Sequence, residues 1–306
     1  MNALQLPLLF QAVFCEPVAL EVGHYHSIAS FLLPRMTGQA SAADLAALGD
    51  VSAAMADKPH KFGHQRSGLA SPRYRNDGSL DTRYYNTLEG RPEVAVIPWR
   101  GVMAKGAGFL QEACMGMVSH DRLSHAIHQA LADKEITSIV YDISSPGGSV
   151  VGTPELAALV KRSSEMKQTT VFVDHMMASA AVYAGSQAAE IYITPSAKIG
   201  SIGTILGILD DSVRMQMEGL KLELFTAGKF KGAGSSGRAL SEADRAYFQS
   251  IVDDANDGFV AAVKQARPGV AKEVLTDAKV YTGTQAAKHG LVDGVVSGWE
   301  EFVGLV

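Results

Sequence analysis

Short apolar runs alternate with amphipathic stretches from about residue 91 to the end of the chain. Runs rich in Val, Ile, Phe and Tyr, bounded by polar or turn residues, are typical of buried strands. We predict strands over the segments EVAVIPW, ITSIVYDI, TTVFVD, EIYIT and LELFT, which begin at Glu93, Ile136, Thr169, Glu190 and Leu222.

Between these runs, apolar residues recur at the spacing of a helix face. Helices are predicted over the segments SHDRLSHAIHQALAD, TPELAALVKRSSEM and DSVRMQMEGL. The longest amphipathic segment, residues 241–266, carries one stripe made of Phe248, Ile251, Ala255, Phe259 and Val263. Strands joined by helices of about ten to fifteen residues imply right-handed crossovers, so we predict an α/β fold with a largely parallel sheet.

Three histidines, His120, His125 and His128, fall on or near the first predicted helix. Leu123 and Ile127 define the buried stripe of that helix. We therefore expect the three imidazoles on a solvated polar face.

Residues 1–90 differ from the rest, being first rich in Ala and Asp and then polar and rich in turn residues. We predict an N-terminal arm and linker there, partly helical or disordered, and one compact domain over residues 91–306. His60 and His64 have a spacing that could chelate a metal on a helix, but Gly63 weakens a helix and no third ligand is evident. No metal site is expected.

Composition narrows the class of protein. The chain has 306 residues, 47% of them apolar, with a net charge of -5 and no cluster of basic residues, which argues against a nucleic-acid surface. Cys15 and Cys114 are expected to be free thiols. The early apolar run is too short to cross a bilayer, and no Lys or Arg precedes Arg35. We expect a soluble cytoplasmic protein without a membrane partner.

A Pro-Gly-Gly turn follows the second predicted strand, at Pro146, Gly147 and Gly148. Glycines let a backbone approach a ligand closely and present N–H groups to it. Such donors can stabilise a developing oxyanion. An ordinary turn explains the same residues.

Ser179 lies where the third predicted strand gives way to a helix of small residues. Its hydroxyl at a helix start suits nucleophilic attack on a carbonyl, but a helix cap is the structural alternative. His175 with Asp142 or Asp174 could complete a Ser-His-Asp triad.

Lys229 and Lys231 lie in the glycine-rich segment after LELFT. A lysine acts as a general base only when its amine is neutral. This requires its pKa to lie roughly three units below the ordinary value of about 10.4. A pocket of small apolar groups around Ser179 would provide that shift. A solvated surface lysine is the alternative for both.

Four segments, in order, resemble the serine peptidase family of bacterial signal peptide peptidase A: DISSPGGSV, MASAAVYAGSQA, ITPSAKIGSIGTI and FTAGKFKGAGS. The family shares the fold of the Clp peptidase and crotonase superfamily. The resemblance, from about Glu93 to Val296, therefore implies repeated β-β-α units, a largely parallel sheet and a peptidase domain over residues 91–306. It also implies a homo-oligomer, with active sites between subunits, and no cofactor.

The family motifs imply roles for individual residues. The serine before two small residues is the nucleophile, which is Ser179 here, and the lysine that closes a Gly-x-x-Lys segment is the general base, which is Lys231. Lys229 is the fallback. Ser201 matches the hydroxyl that orients the lysine, and the N–H groups of Gly148 and Ala180 match the oxyanion hole. Relatives commonly have glycine where this chain has Ala180, which would tighten the pocket.

The opening segment FCEPVALEVGHYHSIASFL is similar to the start of the head maturation proteases of lambda-like phages. This likeness implies a capsid assembly protease that cleaves scaffold and portal proteins in the host cytoplasm or the procapsid. Three alternatives remain open: a cytoplasmic signal-peptide-peptidase-like protease, a non-catalytic structural component of the phage head, and a crotonase-like acyl-CoA enzyme.

Overall fold

A computed structural model describes residues 84–107 and 116–306, together with the backbone of 18–20, 73–74 and 80–81. His60, His64, Cys15 and Cys114 lie outside the described residues. The division into an arm and a domain remains a prediction.

The described strands, numbered along the chain, are β1 Val18–Leu20, β2 Arg73–Tyr74, β3 Leu80–Asp81, β4 Asn86–Leu88, β5 Arg91–Arg100, β6 Val102–Ala104, β7 Met117–Ser119, β8 Ser138–Ser144, β9 Gly147–Ser149, β10 Gln168–Val173, β11 Met176–Ala178, β12 Glu190–Ile193, β13 Lys198–Gly200, β14 Val280–Thr282 and β15 Gly294–Val295. The described helices are α1 His120–Ala132, α2 Thr153–Met166, α3 Ala180–Gly185, α4 Ser212–Met217, α5 Glu242–Ala266, α6 Lys272–Thr276, α7 Gly283–Lys288 and α8 Trp299–Val303.

The largest sheet has six strands in the order β15-β12-β10-β8-β5-β4. All neighbours in it are parallel except β4, which pairs antiparallel with β5. Parallel strands need a covering layer on both faces. One face packs a large apolar core together with α1, α2 and α3, and the other packs Phe172 against Trp299 and Phe302 of α8.

Each long central strand is followed by a short strand that leaves the main sheet. Thus β5 leads to β6, β8 to β9, and β10 to β11, and the last two pairs are followed directly by α2 and α3. The short strands form two further sheets, ordered β1-β9-β6-β7 and β11-β13-β14. The predicted α/β fold of repeated β-β-α units with a largely parallel sheet is confirmed.

The predicted helix at 241–266 is confirmed as α5, which begins with a capping box between Ser241 and Asp244. Of its predicted stripe, only Phe259 and Val263 are buried. The first half of α5 packs instead on the segment that precedes it, where Phe230 stacks on Tyr247 with ring centroids 4.6 Å apart.

Two expectations were wrong. Segment LELFT, residues 222–226, is not a strand: its residues are exposed, and Phe225 is 94% exposed. A strand requires a hydrogen-bonded neighbour, and none pairs with these residues among the strands that the structure describes. His120 is buried, whereas His125 and His128 are exposed as expected. His120 begins α1, where Gly152 and Thr153 of the next unit cover it.

Candidate active site

Ser179 occupies the junction between β11 and α3 in a strained backbone conformation. Its φ is 53° and its ψ is -119°, a region that residues with a side chain rarely adopt. Holding such a conformation costs about 1–3 kcal/mol, and strain of this kind concentrates at functional sites. The residue is fully buried, and its N–H donates to the carbonyl oxygen of Gly200 at 2.8 Å.

The hydroxyl of Ser179 does not cap the helix that follows. No capping hydrogen bond leaves its side chain, and Oγ donates only a long bond of 3.4 Å to the carbonyl oxygen of Gly203. The helix-cap explanation is therefore excluded. All six residues of α3 are buried.

Ser145, which lies between β8 and β9, bonds to β11, the strand that leads into Ser179. The N–H of Ser145 donates to Met176 at 2.8 Å, and the N–H of Ala178 donates back to Ser145 at 3.0 Å. Gly148, three residues further on, pairs with Met103 of β6. A Cβ on Gly148 would overlap the carbonyl oxygen of Met103, so only glycine fits. The two glycines of the turn therefore begin a strand that lies close to β11, because Ser145, just before them, bridges to Met177.

Both predicted oxyanion donors thus lie on elements that meet near Ser179. Ala180 is the first residue of α3, and the first N–H groups of a helix have no acceptor within it. Strand β9, which carries Gly148, packs against α3.

Ser201 follows β13 and is joined to Ser179 through Gly200. Ser201 is buried, has a φ of 54°, and its N–H donates to the carbonyl oxygen of Lys279 at 2.7 Å. In the described part of the chain, the residues other than glycine with positive φ are Ser179, Ser201 and Ala278. A Cβ on Gly203 would lie 3.1 Å from the side chain of Ala278. The strained residues therefore cluster around the serine.

The lysines are not brought to the serine within this single chain. Lys231 and Lys229 are both exposed, and Lys229 Nζ lies 5.0 Å from the centroid of the Phe230 ring. Among the described residues, Ser179 Oγ bonds to Gly203 and to neither lysine. The Ser179–Lys231 dyad remains a prediction.

The histidine triad is not assembled. His175 is exposed, and its Nδ1 lies 3.3 Å from the hydroxyl of Ser144. Asp142 accepts a hydrogen bond from Arg100 across the main sheet. Neither side chain bonds to Ser179 within the described residues.

Ser145 is a positioning residue to which the motifs gave no role. Its hydroxyl donates to the carbonyl oxygen of Gly101 at 2.7 Å and accepts the N–H of Gly147 at 3.2 Å. It therefore fixes the turn that leads into β9. Its position directly before Pro146 was the available signal.

The described part of the chain has no helix long and apolar enough to span a bilayer. In the same part, no three His, Cys, Asp or Glu side chains gather as a metal site would require.

Comparisons with known proteins find similar peptidases. Residues 161–303, which include Ser179, Ser201 and Lys231, match the model of peptidase family S49. The chain is 28% identical over 224 residues to the capsid assembly protease C of Escherichia phage lambda, covering 72% of this chain and 50% of that protein. It is 26% identical over 226 residues to the head-tail preconnector protein GP5 of Enterobacteria phage P21, covering 73% and 44%.

A bacterial relative is protease 4 of Salmonella typhi, which is 27% identical over 203 residues, covering 63% of this chain and 32% of that protein. The chain thus spans half or less of the length of these curated relatives. The predicted resemblance to signal-peptide-peptidase-like serine peptidases and to lambda-type capsid assembly proteases is confirmed.

Proposed function

We propose, from the match of residues 161–303 to peptidase family S49, that this chain is a serine endopeptidase with Ser179 as its nucleophile. The observation that carries the proposal is the backbone of Ser179: buried, at a positive φ of 53°, and not used as a helix cap. A packing serine would not need this conformation, because a relaxed backbone buries a hydroxyl at lower cost.

In the proposed reaction, Lys231 accepts the proton of Ser179 Oγ while that oxygen bonds to the peptide carbonyl carbon. The N–H groups of Gly148 and Ala180 stabilise the oxyanion. Lys231 then gives the proton to the leaving amine as the peptide bond breaks. Water, deprotonated by the same lysine, hydrolyses the acyl-enzyme and regenerates Ser179. No cofactor enters this scheme.

The working form is proposed to be a homo-oligomer in which Lys231 reaches Ser179 of another copy. Lys231 is exposed, and the segment before it has a row of exposed apolar side chains. These are Leu209, Val213, Met217, Leu220, Leu222, Leu224 and Phe225, of which Phe225 is 94% exposed. An apolar row of this kind favours contact with another surface. Such a contact would also exclude water from the surroundings of the Lys231 amine.

The biological role we propose is cleavage of scaffold and portal proteins during phage head maturation, in the host cytoplasm or the procapsid. Support comes from the likeness to the capsid assembly protease of phage lambda and the preconnector protein of phage P21. A signal-peptide-peptidase-like role and a non-catalytic role in the head are the competing assignments, and substrate assays separate them.

The test is incubation of the purified chain with its cognate scaffold protein, followed by mass spectrometry of the products. We expect cleavage by the unaltered chain and none by Ser179→Ala or Lys231→Ala, with Lys229→Ala as the matched control that stays active. Activity retained in Ser179→Ala would refute the nucleophile. Loss only in Lys229→Ala would transfer the base to that residue.

A further inference from the structure

The N-terminal segment of this chain forms a strand on β9. Residues 18–20, β1, pair antiparallel with residues 147–149, with Val18 opposite Ser149, Ala19 opposite Gly148 and Leu20 opposite Gly147. On its other side β9 pairs with β6. Without β1, β9 would therefore be the edge of its sheet.

This edge adjoins the proposed nucleophile. Ser145, just before β9, bonds to β11, and β11 leads into Ser179. Both β9 and β1 also contact α3, the helix that begins directly after Ser179. The backbone of Ala19 is thus opposite the glycine proposed as an oxyanion donor. Among the described residues, β1 is the strand that covers the free side of β9.

An exposed strand edge is a template for an extended peptide, because its outward N–H and C=O groups can bond a new strand. A substrate whose carbonyl carbon is to reach Ser179 while its oxygen faces Gly148 must pass along the same edge. Two chains cannot pair with one side of β9 at once. The segment at 18–20 and an extended substrate therefore exclude each other.

We propose that residues 18–20 act as a built-in competitor for the peptide substrate, so that the N-terminal arm restrains cleavage until it is displaced. This inference rests on the proposed peptidase function. The pairing is only three residues long, which makes it weak by itself. Because this strand belongs to the same chain, its effective concentration is fixed, so a weak strand competes with a dilute substrate and yields to a concentrated one.

An intramolecular competitor raises KM and leaves kcat unchanged, because saturating substrate displaces it. The test variant is Ala19→Pro, since proline removes a backbone donor and disfavours a paired strand. Ala42→Pro, the same change elsewhere in the arm, is the control. We expect Ala19→Pro to lower KM at least three-fold with kcat unchanged, and Ala42→Pro to behave as the unaltered chain.

A second measurement does not depend on catalysis. In the Ser179→Ala background, amide hydrogen exchange across residues 147–149 should be at least ten-fold faster in Ala19→Pro than in Ala42→Pro. A synthetic peptide of residues 16–23, EPVALEVG, should inhibit Ala19→Pro competitively, and the same peptide with proline in place of Ala19 should not.

The two proposals fail in distinguishable ways. Equal KM values and equal exchange rates in the two proline variants would overturn the proposal that residues 18–20 compete with the substrate. Absence of cleavage by every variant, with exchange at residues 147–149 still accelerated by Ala19→Pro, would overturn the peptidase function and leave the strand pairing intact.

Discussion

The backbone N–H of Ser179 donates to the carbonyl oxygen of Gly200 across 2.8 Å, and this bond ties two strained residues together. Ser179 is itself at φ 53°, and Ser201, which follows Gly200, is at φ 54°. A Cβ on Gly200 would overlap the carbonyl oxygen of Lys279. The backbone at the site is therefore held by contacts of the main chain, and the Ser179 side chain does not cap the helix.

The strain at Ser179 predicts an order of stabilities among inactive variants. Ser179→Gly should be more stable than Ser179→Ala by about 1 kcal/mol, because glycine adopts the native φ without penalty while alanine keeps the strain. Both should lose cleavage completely. Urea denaturation of the two variants checks the difference, and alanine equal to or more stable than glycine would contradict the strain argument.

Replacement of Gly148 should damage both stability and activity. A methyl group there would overlap the backbone of Met103, so β6 and β9 would have to separate. We expect Gly148→Ala to lose more than about 2 kcal/mol of unfolding free energy and at least 100-fold in kcat/KM. Gly269→Ala is the control, because no atom lies within 4 Å of its added Cβ. That control should change stability by less than about 0.5 kcal/mol.

The row of exposed apolar residues before Lys231 predicts that one charged substitution in it disrupts both assembly and activity. Phe225→Asp places a charge at a side chain that is 94% exposed in the single chain, so the fold should be unaffected. A charge buried in a subunit contact is costly, so the oligomer should dissociate and cleavage should cease. Mass photometry and peptide hydrolysis report the two effects. Leu305→Asp, at a residue 55% exposed outside this row, should leave both unchanged.

The stacked pair of Phe230 and Tyr247 is expected to hold Lys231 in position. The two rings lie 13° from parallel, and Phe230 directly precedes Lys231. Tyr247→Ala should lower kcat about ten-fold with little change in KM, and Tyr247→Phe should restore it because the stack survives. If phenylalanine fails to restore kcat, the hydroxyl of Tyr247 is what matters, and the stacking explanation is wrong.

His120 predicts a loss of stability in mild acid. Its Nε2 lies 2.9 Å from Thr153 Oγ1, which itself donates to the carbonyl oxygen of Ser149, so Nε2 carries the proton in the neutral ring. Burial lowers the pKa of His120, because desolvation disfavours the imidazolium. The unfolded chain then binds a proton at higher pH than the folded chain. The unfolding free energy therefore has its full value above a pH of about 6.5 and decreases as the pH falls from there toward the pKa of His120 in the folded chain.

Urea denaturation between pH 7.5 and pH 5 checks this expectation. His120→Gln should flatten the decline, since the amide can still donate to Thr153 but does not titrate. His128→Gln, at an exposed imidazole, should decline as the unaltered chain does. A decline unchanged by His120→Gln would assign the acid sensitivity to another group.

Residue patterns along the chain were sufficient to predict the layered architecture and the residues that carry the proposed chemistry. The apolar run from Val94 to Trp99 was predictable as a buried strand, because the spacing of apolar residues and the content of β-branched residues can be read within one short segment. The glycine at 148, the serines at 179 and 201 and the lysines at 229 and 231 were identified from motifs, which are also local.

The relative positions of these residues depend on contacts between distant parts of the chain. The φ of Ser179 depends on a bond to Gly200, the cover on β9 comes from Ala19, and the burial of His120 comes from Thr153, all distant in sequence. Segment LELFT has strand propensity and yet forms no strand, because a strand needs a neighbour that the described single chain does not provide. Long-range pairing sets each of these features, and residue patterns within one short segment do not record it.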